Sequence, residues 1–174
     1  MTYTADFVKV CQKVAESGCH TQNKGIKYVF RSSSFHTIDP KGRIIIPARF
    51  RNVLKADDEY GAVVSIKDGC LYAFTFSEWK QLEKKILAAK SAAMEKFKRF
   101  FLGNACPLKC DKQDRILLPQ SLRTYAGIEK DIVLVGVLDR FEIWARERWD
   151  QENQKMEQEL EQAEVREEIA SLGL

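Results

Sequence analysis

The chain states one short motif twice, and that repetition limits the folds open to it more than any other feature. Asp39-Pro40-Lys41-Gly42-Arg43-Ile44-Ile45-Ile46-Pro47 recurs as Asp111-Lys112-Gln113-Asp114-Arg115-Ile116-Leu117-Leu118-Pro119. Asp, Arg and Pro keep the same offsets in both copies, with aliphatic residues between Arg and Pro. Each copy then enters a helix-like stretch, Ala48-Arg49-Phe50-Arg51 and Gln120-Ser121-Leu122-Arg123. The match continues further on, where Leu71-Tyr72-Ala73-Phe74 with Trp79 parallels Phe141-Glu142-Ile143-Trp144 with Trp149. The repeating unit is therefore hairpin, helix, hairpin, helix. A unit of about 45–70 residues is near the size at which one core is marginal. Two units sharing a core remove that difficulty. The expected fold is α+β, mostly β, built from two tandem units around one core with flanking helices and a long C-terminal helix.

The turns carry the local signals. Asp39-Pro40-Lys41-Gly42 has Asp, Pro and Gly at the first, second and fourth positions of a type I turn. Gly42 then supplies the left-handed residue of a bulged hairpin, and Arg43 to Ile46 is the returning strand. In the second copy Asp114 stands where that geometry favours glycine. Aspartate enters the left-handed region more readily than most residues, but at a cost relative to glycine, and it adds a negative charge beside Arg115. Pro47 suits the first position of a helix reaching about Leu54. Ala62–Ile66 and Leu71–Phe76 flank Lys67-Asp68-Gly69, a second hairpin signal.

Ser77 is the expected N-cap of a helical pair. That pair carries Trp79, Leu82 and Ile86, then Ala93, Phe97 and Phe100, at helical spacing. The second copy runs through a hairpin over Leu108 to Leu118, a helix from Pro119 to Gly127, and a hairpin over Ile132–Val137 and Arg140–Trp144. The expected organisation is an extension over 1–28, which contains a short amphipathic helix from Asp6 to Ala15. A first unit over 29–76, a helical pair over 77–102, a second unit over 103–146 and an acidic helix over 147–174 follow.

Composition narrows the function classes. Residues 147–174 hold nine acidic and three basic side chains, which leaves 25 basic against 16 acidic residues in the first 146. A basic body meets the electrostatic minimum for binding nucleic acid. No apolar run approaches the roughly 18–20 residues that span a bilayer, and residues 1–18 lack a signal peptide's unbroken apolar core. A cytoplasmic protein with no membrane partner is expected. The odd count of five cysteines argues against a disulfide framework. Cys106-x-x-x-Cys110 is half of a metal site that nothing completes, so no metal or other cofactor is expected. There is no glycine-rich phosphate loop, no Cys/His pairing and no G-x-S-x-G. Neither an enzyme nor a small-molecule substrate is indicated.

The motif itself fits an anionic ligand. Pro40 and Gly42 stiffen the turn, and Arg43 follows it near the exposed tip. A guanidinium held there can bond guanine O6 and N7 together, or clamp a phosphate. Lys41 on the turn suits a phosphate, which supplies salt-dependent affinity without sequence information. Arg31, on the arm leading into the hairpin, is placed to reach a groove or a phosphate. Arg115 and Lys112 are the second copy's candidates. Asp39, Gly42 and Asp111 are read as turn-forming, Asp39 through its own side chain. Arg49, Arg51 and Arg123 read as solvated helix charges.

These residues resemble the MraZ family of bacterial transcriptional regulators. The likeness is carried by Phe35 to Arg51, Asp68-Gly69-Cys70-Leu71, Arg99-Phe100-Phe101, the second D-x-x-x-R at Asp111 to Arg115, Tyr125-Ala126-Gly127, and Val135 to Trp144. It spans about Phe30 to Trp149. It implies tandem AbrB-like swapped-hairpin units folded as an internal pseudo-dimer, and closed homo-oligomeric rings. It also implies binding of double-stranded DNA at direct repeats upstream of the cell-division and cell-wall gene cluster, the regulator's own promoter included. The D-x-x-x-R arginine contacts DNA in the family, which carries over to Arg43 and, in the second motif, Arg115. Family members begin near Val29, so residues 1–28 read as an over-extended start. The competing class is an antitoxin-like swapped-hairpin protein that binds DNA and neutralises a protein partner.

Overall fold

The computed structural model of the chain describes residues 29–57 and 59–173. The helix expected over Asp6 to Ala15 lies outside them. Strands β1 (Ser33–Thr37) and β2 (Arg43–Ile45) lead into helix α1 (Ala48–Lys55), and β3 (Gly61–Lys67) and β4 (Cys70–Phe74) follow. Helices α2 (Phe76–Ala88) and α3 (Ala92–Phe101) and a 3-10 turn (Leu102–Asn104) separate these from the second set. That set is β5 (Cys106–Lys109), β6 (Arg115–Leu117), α4 (Gln120–Ala126), β7 (Asp131–Val137) and β8 (Arg140–Ala145). Helices α5 (Arg146–Leu160) and α6 (Ala163–Ser171) complete the order.

Among the described residues the strands form a six-stranded antiparallel sheet, ordered β1-β7-β8-β4-β3-β5, and a two-stranded ribbon of β2 with β6. The two central hairpins are local. β3 and β4 meet at Lys67↔Cys70 across Asp68 and Gly69, both with positive φ (51° and 77°), as a two-residue primed turn requires. β7 and β8 meet at Val137↔Arg140. They join through β4 and β8 in the register Leu71↔Ile143.

The outer strands are exchanged. β1 pairs with β7 of the other unit (Phe35↔Val133), and β5 pairs with β3 (Ala62↔Leu108). Neither D-x-x-x-R turn therefore closes a ladder between its own flanking strands. The returning strands β2 and β6 pair with each other instead, around Ile44↔Ile116.

This exchange is what one shared core demands. Ile44, Ile46, Phe50 and Leu54 pack in the same cluster as Ile116, Leu118 and Leu122, all at most 1% exposed. Phe30, Phe50 and Phe141 pack as an edge-on and tilted triad at centroid distances of 5.1–5.4 Å. The sheet's other face carries Val63, Tyr72, Phe74 and Val133, and it is covered by Trp79, Ile86 and Phe101. β3 and β4 are covered on both faces, and this is why they read as near-continuous apolar runs.

Four local expectations change. Thr75, not Ser77, caps α2, its hydroxyl accepting from the Glu78 N–H at 3.2 Å. Ser77 instead bonds the Asp57 carboxylate through its N–H (2.9 Å) and its hydroxyl. The apolar face of α3 is rotated by one residue: Phe101 is buried against Trp79 and Phe97, while Phe100 is 43% exposed, edge-on to Tyr125. Pro47 and Pro119 sit at the N-caps rather than inside the first turns. The tail is helical in two pieces, α5 and α6, with a break at Glu161 and Gln162. No helix among the described residues is long and apolar enough to cross a membrane.

Candidate nucleic-acid interface

The β2–β6 ribbon gathers both motifs. Its register sets Arg43 opposite Leu117 and Ile45 opposite Arg115. Side chains alternate along a strand, so these four share the outward face while Ile44 and Ile116 point into the core at 0% exposure. Ile45 and Leu117 are 58% and 55% exposed. Because the strands are antiparallel, the Asp39–Gly42 turn (turn 1) and the Asp111–Asp114 turn (turn 2) lie at opposite ends of the ribbon.

The two turns have the same backbone. The Gly42 N–H donates to the Asp39 carbonyl at 2.8 Å, and the Asp114 N–H to the Asp111 carbonyl at 3.0 Å. Gly42 has φ 83° and Asp114 φ 58°, so the aspartate takes the left-handed conformation the turn demands. Both leading aspartates organise their turns. Asp39 Oδ1 accepts from the N–H groups of Lys41 and Arg43, each at 2.9 Å. Asp111 Oδ1 accepts from Gln113 (2.8 Å) and Arg115 (3.0 Å). The Arg43 N–H holds the Asp39 carboxyl below its usual range, and the Arg115 side chain does the same for Asp111.

The arginines differ. Arg43 donates Nε to Asp39 Oδ2 at 2.6 Å, and among the described residues its two Nη groups have no protein acceptor. Arg115 also uses Nε on Asp111 (2.8 Å), but its Nη2 goes to Asp111 Oδ2 (2.7 Å) and Gln113 Oε1 (2.9 Å). Lys41, in the place equivalent to Gln113, is exposed. Lys112 is exposed where turn 1 has Pro40.

Asp114 does not turn its charge on Arg115. Its carboxylate accepts from the Tyr60 hydroxyl at 2.6 Å, from Arg51 Nη1, and lies 3.4 Å from Lys55 Nζ. These partners, the Tyr60 hydroxyl first, bring its pKa down to about 2. Burial and the Asp114 charge push the Tyr60 hydroxyl's pKa well above its usual value.

Arg31 stands apart from this face. Its backbone passes so close to β7 that a Cβ on Gly136 would lie 2.4 Å from its nitrogen, which only glycine permits. That point is eight residues from Asp39 along an extended arm, on the order of 20 Å or more. Of the helix arginines, Arg49 donates to the Ser33 carbonyl at 2.9 Å and lies over the Phe50 ring. Arg51 and Arg123 reach across to the turns of the opposite units. These two were the functional candidates hidden in the sequence. The signal was there: each falls four residues after the proline of its motif.

Comparison with known proteins agrees with this duplication. The family model "MraZ protein, putative antitoxin-like" matches twice, over residues 29–100 and 101–169. The chain is 68% identical over 146 residues to the transcriptional regulator MraZ of Desulforapulum autotrophicum, covering 84% of this chain and all of the relative. It is 44% identical over 148 residues to that of Desulfosudis oleivorans, with 84% and 100% covered. It is 43% identical over 141 residues to that of Clostridium beijerinckii, with 80% and 95% covered.

Proposed function

This chain belongs to the MraZ family, and from that premise we propose that it is a sequence-specific DNA-binding transcriptional regulator that reads duplex DNA with its β2–β6 ribbon. The observation carrying this reading is the outward quartet Arg43, Ile45, Arg115 and Leu117, with a D-x-x-x-R turn at each end. A major groove admits a two-stranded ribbon. Arg43 presents Nη groups unengaged among the described residues, of the kind that pair with guanine O6 and N7, and Ile45 and Leu117 suit thymine methyls. Lys41 and Lys112 at the tips take phosphates, and Arg31 adds charge on a separate part of the surface.

The sites are direct repeats upstream of the cell-division and cell-wall gene cluster, including the protein's own promoter. The protein acts in the cytoplasm at the nucleoid. The working form is a closed ring, since identical subunits in head-to-tail contact close when the rotation allows. Several ribbons on one ring then gain avidity on repeats in phase. Residues 29–76 and 103–146 are the two reading units, and 77–102 and 147–174 are helical additions.

Footprinting the full chain on the DNA upstream of its own gene tests this. Protection is expected over spaced repeats, with much tighter binding to several in phase than to one. Equal affinity per molecule for one and several would remove the ring from the account, and no protection would remove the function. The exposed surface of α5 and α6, which contain no buried residue, favours the antitoxin-like alternative to the extent that it leaves room for a protein partner.

A further inference from the structure

Arg51 on α1 and Arg123 on α4 occupy equivalent places, and each approaches the other unit's turn. Arg123 donates Nε to the Leu118 carbonyl at 3.1 Å, and the Leu118 N–H donates to the Gly42 carbonyl at 2.8 Å. The guanidinium is thereby fixed against turn 1. A Cβ on Gly42 would stand 3.0 Å from its Cζ, 3.1 Å from Nε and 3.2 Å from Nη2. At turn 2 the residue in Gly42's place is Asp114, and its carboxylate takes Arg51 Nη1. One cross-unit guanidinium is neutralised and the other is not. Among the described residues, neither Nη group of Arg123 has a protein acceptor.

We infer that Arg123 from the second unit and Lys41 from the first together hold one DNA backbone phosphate at turn 1, and that Asp114 closes the equivalent site at turn 2 by taking Arg51. The inference rests on the ribbon being the DNA-facing surface. A guanidinium with two Nη groups offered suits phosphate oxygens, and Lys41, the residue before Gly42, adds a mobile second charge. Arg43 is then left for base edges, because the phosphate contact fixes the position of the turn while carrying no sequence information. The site forms only where the two units fold together, since its turn and its arginine come from different halves.

The test is the salt dependence of binding by the full chain to a DNA fragment from upstream of its own gene. Each phosphate contact contributes about 0.9 to the slope of log K against log salt. Arg123→Ala is expected to weaken binding several-fold on matched and mismatched sequences alike and to lower the slope, by up to about 0.9 per bound subunit when Lys41→Ala is added. Asp114→Gly is expected to tighten binding and raise the slope by a similar amount, and adding Arg51→Ala to it is expected to abolish the gain. This second arm holds even where Arg123→Ala impairs folding. Wild-type binding that depends on Arg43, with a slope unmoved by Arg123→Ala or by Asp114→Gly, would overturn the inference and leave the DNA-binding reading intact. Failure of the wild-type chain to bind DNA would overturn both.

Discussion

Turn 1 and turn 2 share a backbone but differ in what their side chains are free to touch. Both leading aspartates gather two backbone N–H groups and the arginine Nε. Both strands send an isoleucine, Ile44 or Ile116, into the same core. The differences sit at the tips, where Pro40, Lys41 and Gly42 become Lys112, Gln113 and Asp114. There turn 2 is tied down: Gln113 and Asp111 share the Arg115 Nη2, and Asp114 is held by Arg51, Tyr60 and Lys55 of the first unit. The helices contribute to the asymmetry, because α4 ends at Gly127 in the place where α1 has Lys55. The lesson is that a shared core holds the duplicated geometry fixed, while the side chains at the two tips are free to differ, open in one copy and tied into the structure in the other.

The widest gap between the turns is expected in binding. Arg43→Ala should cost about 1–3 kcal/mol of affinity for the specific site, roughly 5- to 150-fold. A titration showing a loss below that range would mean that Arg43 is not the main base contact. A stability comparison comes next. Gly42→Ala meets both a positive φ and the Arg123 guanidinium, so it should destabilise by about 1 kcal/mol or more in urea unfolding. Asp114→Gly relieves the same φ but loses three partners, so it should show no comparable gain in stability. A smaller effect is expected from making turn 2 resemble turn 1. Gln113→Lys removes one of the two acceptors on Arg115 Nη2, leaving Asp111, and adds a cation at the tip; a rise in affinity of a few-fold with a steeper salt dependence should follow.

The smallest difference appears only in acid. The Asp114 carboxyl is held down to about 2, chiefly by the Tyr60 hydroxyl. Its stabilising contribution is therefore present above the unfolded carboxyl's range near 4 and is lost as pH falls through about 2. Asp114→Asn should remove that part of the acid unfolding curve. An unchanged curve would mean that the carboxylate's partners do not hold it in solution.

Much of this contrast was legible in the sequence. Turn types, the Asp68-Gly69 hairpin and the Gly127 helix end rest on local backbone chemistry, which a few residues determine. The shared core followed from the size of one unit and the existence of two. The place of Arg43 beside the turn tip was legible because the turn residues precede it directly. What the residues alone did not show was long-range. Which strand β2 pairs with depends on a partner 72 positions away, and the swapped pairing entered only through family resemblance. Arg51 and Arg123 looked like solvated helix charges because the turns they touch belong to the other half of the chain. Asp114 looked like a charge set against Arg115, because Tyr60 and Arg51 approach it only in the folded pair. Local spacing likewise placed Phe100 in the core, whereas the angle of α3 on the sheet put Phe101 there instead.

The central claim is that the two copies are unequal readers of DNA. Arg43→Ala and Arg115→Ala, titrated side by side against the same upstream fragment at one salt concentration, test it most directly. The account predicts that the first variant loses at least about tenfold more affinity than the second, a gap of roughly 1.4 kcal/mol. Equal losses would contradict it.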